Sequence, residues 1–170
     1  MSDTYSICLR VDPEYKAHTP TVRLREAIAL VLDQHEVSPR CGLTLLVTGD
    51  EAVQKLNLRY LGIDAPTDVL SFPTGDDDMP GGEDADAPYL GDIIIAYPYT
   101  AHHAELDGHA IGDVLVLLAA HGTLHLLGYD HDTAGNQAEM WQEQEAILVR
   151  LGVPVAVLPP PADLPLEDVP

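Results

Sequence analysis

Apolar and polar residues alternate over 4–11, which predicts a strand. Over 21–34 the period lengthens to that of a helix, with Val22, Ala27, Ile28, Val31 and Leu32 on its apolar side. The run Leu43-Thr44-Leu45-Leu46-Val47 predicts a second strand over 42–48. Asp50 is the expected cap of a helix reaching about Tyr60, with Val53, Leu56 and Asn57 in step. Asp64-Ala65-Pro66-Thr67 reads as a turn, followed by a short strand over 68–72 that Pro73 ends. Leu90-Gly91-Asp92-Ile93-Ile94-Ile95 marks a strand over 89–96, and helical spacing follows over 97–107, 111–127 and 133–151. In the last helix Met140, Trp141, Ile147 and Leu148 form the apolar side.

Strands 68–72 and 89–96 are joined by a loop, so they can pair antiparallel. Helices mixed with four strands predict an α+β, or mixed α/β, domain: a roughly four-stranded mixed sheet packed with helices. The expected domain spans 1–152. Residues 74–88 are rich in Gly, Pro, Asp and Glu and read as an acidic flexible loop. From Gly152 onward six prolines predict an extended, loosely held tail over 153–170.

Composition fits one globular domain: 170 residues, 46% hydrophobic, with no run long enough to span a bilayer. The first residues carry neither a basic region nor an apolar signal core, so a cytoplasmic location is expected. Cys8 and Cys41 make no C-x-x-C pair; Cys8 is expected to be buried, and no disulfide is expected. Charge changes the picture more. The chain has 28 acidic residues against 8 basic ones, a formal net of −20. Such a balance repels polyanions at long range and argues against non-specific nucleic-acid binding.

The chemistry is concentrated in His121-Gly122-Thr123-Leu124-His125-Leu126-Leu127-Gly128-Tyr129-Asp130-His131. His121 and His125 are four apart and fall on one helix face. Gly128 can end the helix in a left-handed conformation, after which His131 can close as a third ligand. These are the offsets of the metzincin signature H-E-x-x-H-x-x-G-x-x-H. Three imidazoles suit one zinc ion (Zn2+) with a fourth position open, although nickel, copper or iron also accept imidazole. Where the protease places its general-base Glu, this chain has Gly122, which cannot take a proton.

The same string closely resembles the hallmark of the YbeY family of bacterial endoribonucleases that mature ribosomal RNA. Leu56-Asn57, Tyr60 and Asp64-Ala65-Pro66-Thr67-Asp68-Val69-Leu70-Ser71-Phe72-Pro73 resemble its upstream motif. Leu90-Gly91-Asp92-Ile93 is similar to its middle strand, and Gly108-His109 to the pair preceding its metal helix. The resemblance runs from about residue 5 to 152. It implies a metal-dependent hydrolase fold with one metal on the three histidines. It also implies cleavage of single-stranded RNA in small-subunit ribosomal RNA maturation and ribosome quality control, with the ribosome and assembly factors as partners. Neither a membrane nor DNA is expected as a partner. The family usually has an Arg directly after the motif tyrosine, where this chain has Leu61. Arg59 lies two positions earlier, about 200° round the helix.

Other residues divide between two roles. Arg59 and Lys55, four apart on one helix face, can meet phosphates or simply form a solvated face. Asp68 can orient a ligand or handle a proton, or make a local turn contact beside Thr67. Ser71 is read as structural, and Asp92 as either a partner of a metal-bound histidine or a turn residue. His102, His103 and Asp130 are read as solvated, His109 as a cap or packing residue, Asp132 as the cap of the last helix and Trp141 as core. Arg59 and Asp68 are the catalytic candidates beside the three histidines. Zinc-dependent endoribonuclease is thus the leading reading, against another metal hydrolase such as a metalloprotease, or a non-catalytic ribosome-assembly module with a structural metal.

Overall fold

The structure, a computed structural model, describes residues 5–38, 40–74, 88–129 and 133–158. Among these, the strands are β1 (Ser6–Val11), β2 (Gly42–Thr48), β3 (Val69–Pro73) and β4 (Tyr89–Ala96). The helices are α1 (Thr21–Gln34), α2 (Asp50–Leu61), α3 (Tyr97–Asp107), α4 (Ile111–Leu126) and α5 (Ala134–Leu151). The strands form one sheet in the order β1-β2-β4-β3. β1, β2 and β4 run parallel, and β3 lies antiparallel to β4 at the edge, with Ser71 opposite Ile93 and Phe72 opposite Asp92. The mixed sheet and its antiparallel pair agree with the sequence expectation.

Successive strand residues face opposite sides of a sheet, and each side here has its own core. Leu43, Leu45, Val47, Val69, Ile93 and Ile95 pack with α1 and α4. Leu70, Ile94 and Ala96 pack with Val53 and Leu56 of α2 and Tyr99 of α3. α4 is the central helix, with Leu115, Val116, Leu117, Leu118, Ala119 and Ala120 all buried. On its far side Ala120 and Leu124 meet Val31 of α1 and Met140 and Ile147 of α5. Each such leucine or isoleucine contributes about 1.5–3 kcal/mol by leaving water.

Several expectations are corrected. Val22 is 69% exposed; it lies two positions before Leu24, about 200° round from the buried stripe of Leu24, Ala27, Ile28, Val31 and Leu32. Cys8 is exposed, because strand alternation turns Ile7 inward and Cys8 to the side where α2 and α3 cover β3 and β4 rather than β1. Asp50 is not its own helix's cap; Gly49 holds that position. Its carboxylate instead accepts the Tyr99 N–H at 2.9 Å, serving an otherwise orphaned amide in the first turn of α3. The residues just after Gly152 are packed rather than loosely held, with Val153, Val157 and Leu158 buried on the main core. Thr133, not Asp132, caps α5, its hydroxyl accepting the Asn136 N–H. A short 3-10 helix, Pro13–His18, had no periodic signal. The acidic segment 75–87, residues 130–132 with His131, and the tail beyond 158 lie outside the described residues. Among the described residues no single helix is long and apolar enough to cross a membrane.

Candidate metal centre

His121 and His125 stand one turn apart on α4, their ring centroids 4.6 Å apart and their planes at 79°. Both rings are half-buried near the end of a helix whose preceding turns are core. The helix ends as its sequence requires. Gly128 takes φ +105°, a region where a side chain is strained. The N–H groups of Gly128 and Tyr129 donate to the carbonyls of His125 and Leu124, at 3.0 and 3.1 Å. Those carbonyls would otherwise be left without partners.

Gly122 faces the sheet. A Cβ there would lie 2.7 Å from Ile93 Cγ2, closer than two carbons approach. The glycine therefore lets α4 rest on β4. The same contact removes the space in which the protease pattern would place its Glu.

His121 is oriented by a residue that sequence reasoning missed. Its Nδ1–H donates to Gln144 Oε1 at 2.5 Å, and Gln144, on α5, is only 5% exposed. This bond fixes the tautomer and puts the lone pair on Nε2, the form a metal ligand needs. The signal was present: Gln144 interrupts an apolar stripe of Met140, Ile147 and Leu148. Asp92, considered for this role, instead accepts the Tyr89 hydroxyl, which also lies 2.7 Å from Thr44 Oγ1. Burial, reinforced by Asp92, raises the Tyr89 pKa.

The described residues thus bring His121 and His125 together, while the third candidate, His131, lies outside them. Among the described residues no group of three His, Cys, Asp or Glu side chains is placed to hold a metal. Two imidazoles on one face, one with its tautomer set by a buried amide, fit a transition metal. The other candidates sit on different elements. Asp68, entering β3, accepts the Val69 N–H at 2.7 Å and the Thr67 hydroxyl at 3.4 Å, which is the local turn contact. The Arg59 guanidinium carbon lies 5.3 Å from the centre of the Tyr60 ring, and Tyr60 packs on Phe72 at 5.2 Å. Lys55 pairs loosely with Glu51 at 4.0 Å, both highly exposed. Ser71 is opposite Ile93 on the α4 side of the sheet, and its Oγ is buried with no hydrogen-bond partner among the described residues. His102 and His103 are exposed.

A four-stranded mixed sheet carrying a central helix with this histidine pair defines the class of domain. Its fold matches the solution structure of TM1509 from Thermotoga maritima, with a TM-score of 0.59 over 86% of this chain and 88% of that one, at 23% identity. Residues 12–152 match the family described as Endoribonuclease YbeY. A relative named Endoribonuclease YbeY from Roseiflexus sp. (strain RS-1) is 39% identical over 90% of this chain and 98% of its own. Another so named, from Moorella thermoacetica, is 44% identical over 69% of this chain and 77% of its own. The chain belongs to the endoribonuclease YbeY family.

Proposed function

We propose that this protein is a zinc-dependent endoribonuclease that cuts single-stranded RNA, acting in small-subunit ribosomal RNA maturation and ribosome quality control in the cytoplasm. The observation that carries the reading is the His121–His125 pair on α4, with His121 held in ligand form by buried Gln144. His121, His125 and His131 hold one zinc ion; nickel or another divalent transition metal fits the same donors. When bound, that ion supplies Lewis-acid chemistry at the phosphoryl group.

The rest falls to the chain itself. Gln144 keeps the His121 ring in one tautomer and one orientation. Ser71 offers a buried hydroxyl on the sheet side that α4 covers. Arg59, over the exposed Tyr60 ring, is the cation we assign to the RNA backbone. Gly122 puts no carboxylate where the protease pattern has its base, and Asp68 is engaged by its own turn. With a net charge of −20, free RNA binds weakly, and ribosomal RNA with the ribosome and its assembly factors is the working context.

The test is cleavage of a labelled single-stranded RNA by zinc-loaded protein beside His125→Ala. Cleavage by the wild type that the variant and a chelator both abolish is expected. Equal cleavage by both proteins would overturn the reading and expose a contaminating nuclease. If neither cuts, even with ribosomes present, the protein is a non-catalytic assembly module.

A further inference from the structure

We propose that His35, at the end of α1 and outside every motif of the chain, is a positioning residue for the metal centre, acting through Tyr129. The inference rests on the reading of His121, His125 and His131 as metal ligands. His35 Nδ1 lies 2.8 Å from the Val31 carbonyl, one turn back in α1. A carbonyl can only accept, so Nδ1 carries the hydrogen. The Tyr129 hydroxyl lies 3.0 Å from Nε2 and shares a hydrogen bond with it. The two rings also meet edge to face, with centroids 5.3 Å apart.

Tyr129 is therefore tied at both ends. Its backbone N–H is bonded to Leu124 of α4, and its hydroxyl to α1. It directly follows Gly128 and stands two residues before His131 in the chain. A glycine permits the turn but does not choose its direction; a bond from a second helix does. The anchor is firm, because Val31 and Leu32 beneath His35 are fully buried. α5 closes the cluster, with Glu143 Oε1 3.3 Å from His35 Nε2. The next residue of α5 is Gln144, which holds His121. Consecutive residues of one helix thus brace the histidine pair and the turn that follows it.

The test is zinc affinity, by competition with a chromophoric chelator, for the full chain and for Tyr129→Phe, His35→Leu, His35→Gln and His121→Ala. Thermal unfolding is followed in parallel. Tyr129→Phe and His35→Leu should each weaken zinc binding about 10-fold or more. The double variant should be no weaker than either single one, and His35→Gln, which keeps a side chain able to hydrogen-bond the hydroxyl, should recover part of the loss. A merely structural role would lower the unfolding temperature without that non-additive loss of zinc. Zinc affinity of Tyr129→Phe within twofold of wild type, with His121→Ala deficient, would overturn the positioning role alone. Equal binding by His121→Ala and wild type would overturn the metal centre itself. If His35→Leu fails to fold, Tyr129→Phe, which removes a single oxygen, decides.

Discussion

The histidine helix α4 lies between the sheet, α1 and α5, and its polar groups are held from several directions, whereas the end of α2 lies open. Around α4, His121 is bonded to Gln144 and Tyr129 to His35. At the end of α2, Leu58, Tyr60, Leu61 and Ile63 are between 37% and 55% exposed, and Arg59 rests on a neighbouring ring. Both regions belong to the motifs that carry the family resemblance. The proposed metal centre would need its ligands fixed to within about 0.5 Å, and the packed surroundings of α4 suit that need. The proposed RNA-facing surface would need reach more than precision, and the exposed end of α2, with Leu61 in it, suits that need.

The strongest way to break this comparison is at Gly122. Gly122→Ala would push a Cβ to 2.7 Å from Ile93 Cγ2. Ile93 is β-branched and fully buried, so it cannot swing aside cheaply. Overpacking costs about 1–3 kcal/mol, and the better helix propensity of Ala returns at most about 1 kcal/mol. A net loss of up to about 2 kcal/mol is expected, read as a lower urea midpoint at unchanged slope. Leu61→Ala, at the open end of α2, should stay within about 0.5 kcal/mol of wild type. If Gly122→Ala is the more stable of the two, α4 does not rest on β4 as closely as described.

The same contrast explains what was legible in the sequence. Strand and helix periods gave the mixed sheet and the five helices found among the described residues. The histidine spacing and Gly128 gave the pair and its helix end, because those constraints are local. What sequence pattern missed was long-range or depended on register. Gln144 and His35 meet the motif across 23 and 94 positions of chain, and no local pattern announces such a partner. Asp50 sits where a cap is expected yet serves α3, 49 residues away. Cys8 and Val22 are apolar but fall on the wrong phase of their elements, so type alone misplaced them.

A second effect, on zinc rather than on folding, separates orientation from binding surface. Gln144→Leu removes the partner of His121 Nδ1 while filling the same space in an apolar stripe. Zinc affinity should fall about 10- to 100-fold. Arg59→Ala should leave zinc affinity unchanged and reduce the salt dependence of RNA binding by about one phosphate contact. A Gln144→Leu variant that binds zinc as wild type does would mean that α4 alone orients the ring.

The smallest expected effect tests whether the α1 side of the sheet is braced elsewhere as well. Tyr5 donates to Asp33 of α1 at 2.6 Å. Burial first, then the bond and the charge of Asp33, raise its pKa from 10.0 to about 12. Folding therefore favours the neutral phenol. The stability this contributes is fully present below pH 10, where both folded and unfolded chains keep the proton. It is lost as pH rises through about 12, because the unfolded chain ionises first. Urea midpoints taken from pH 9 to 12 should fall, and Tyr5→Phe should make the fall shallower, with Tyr15, Tyr89, Tyr97 and Tyr129, whose pKa values are also raised, supplying the remainder. At neutral pH the variant should lose only the net value of one hydrogen bond, about 1 kcal/mol. An unchanged slope in Tyr5→Phe would show that the bond between Tyr5 and α1 opens in solution, and would confine the rigid region to α4 and its immediate neighbours.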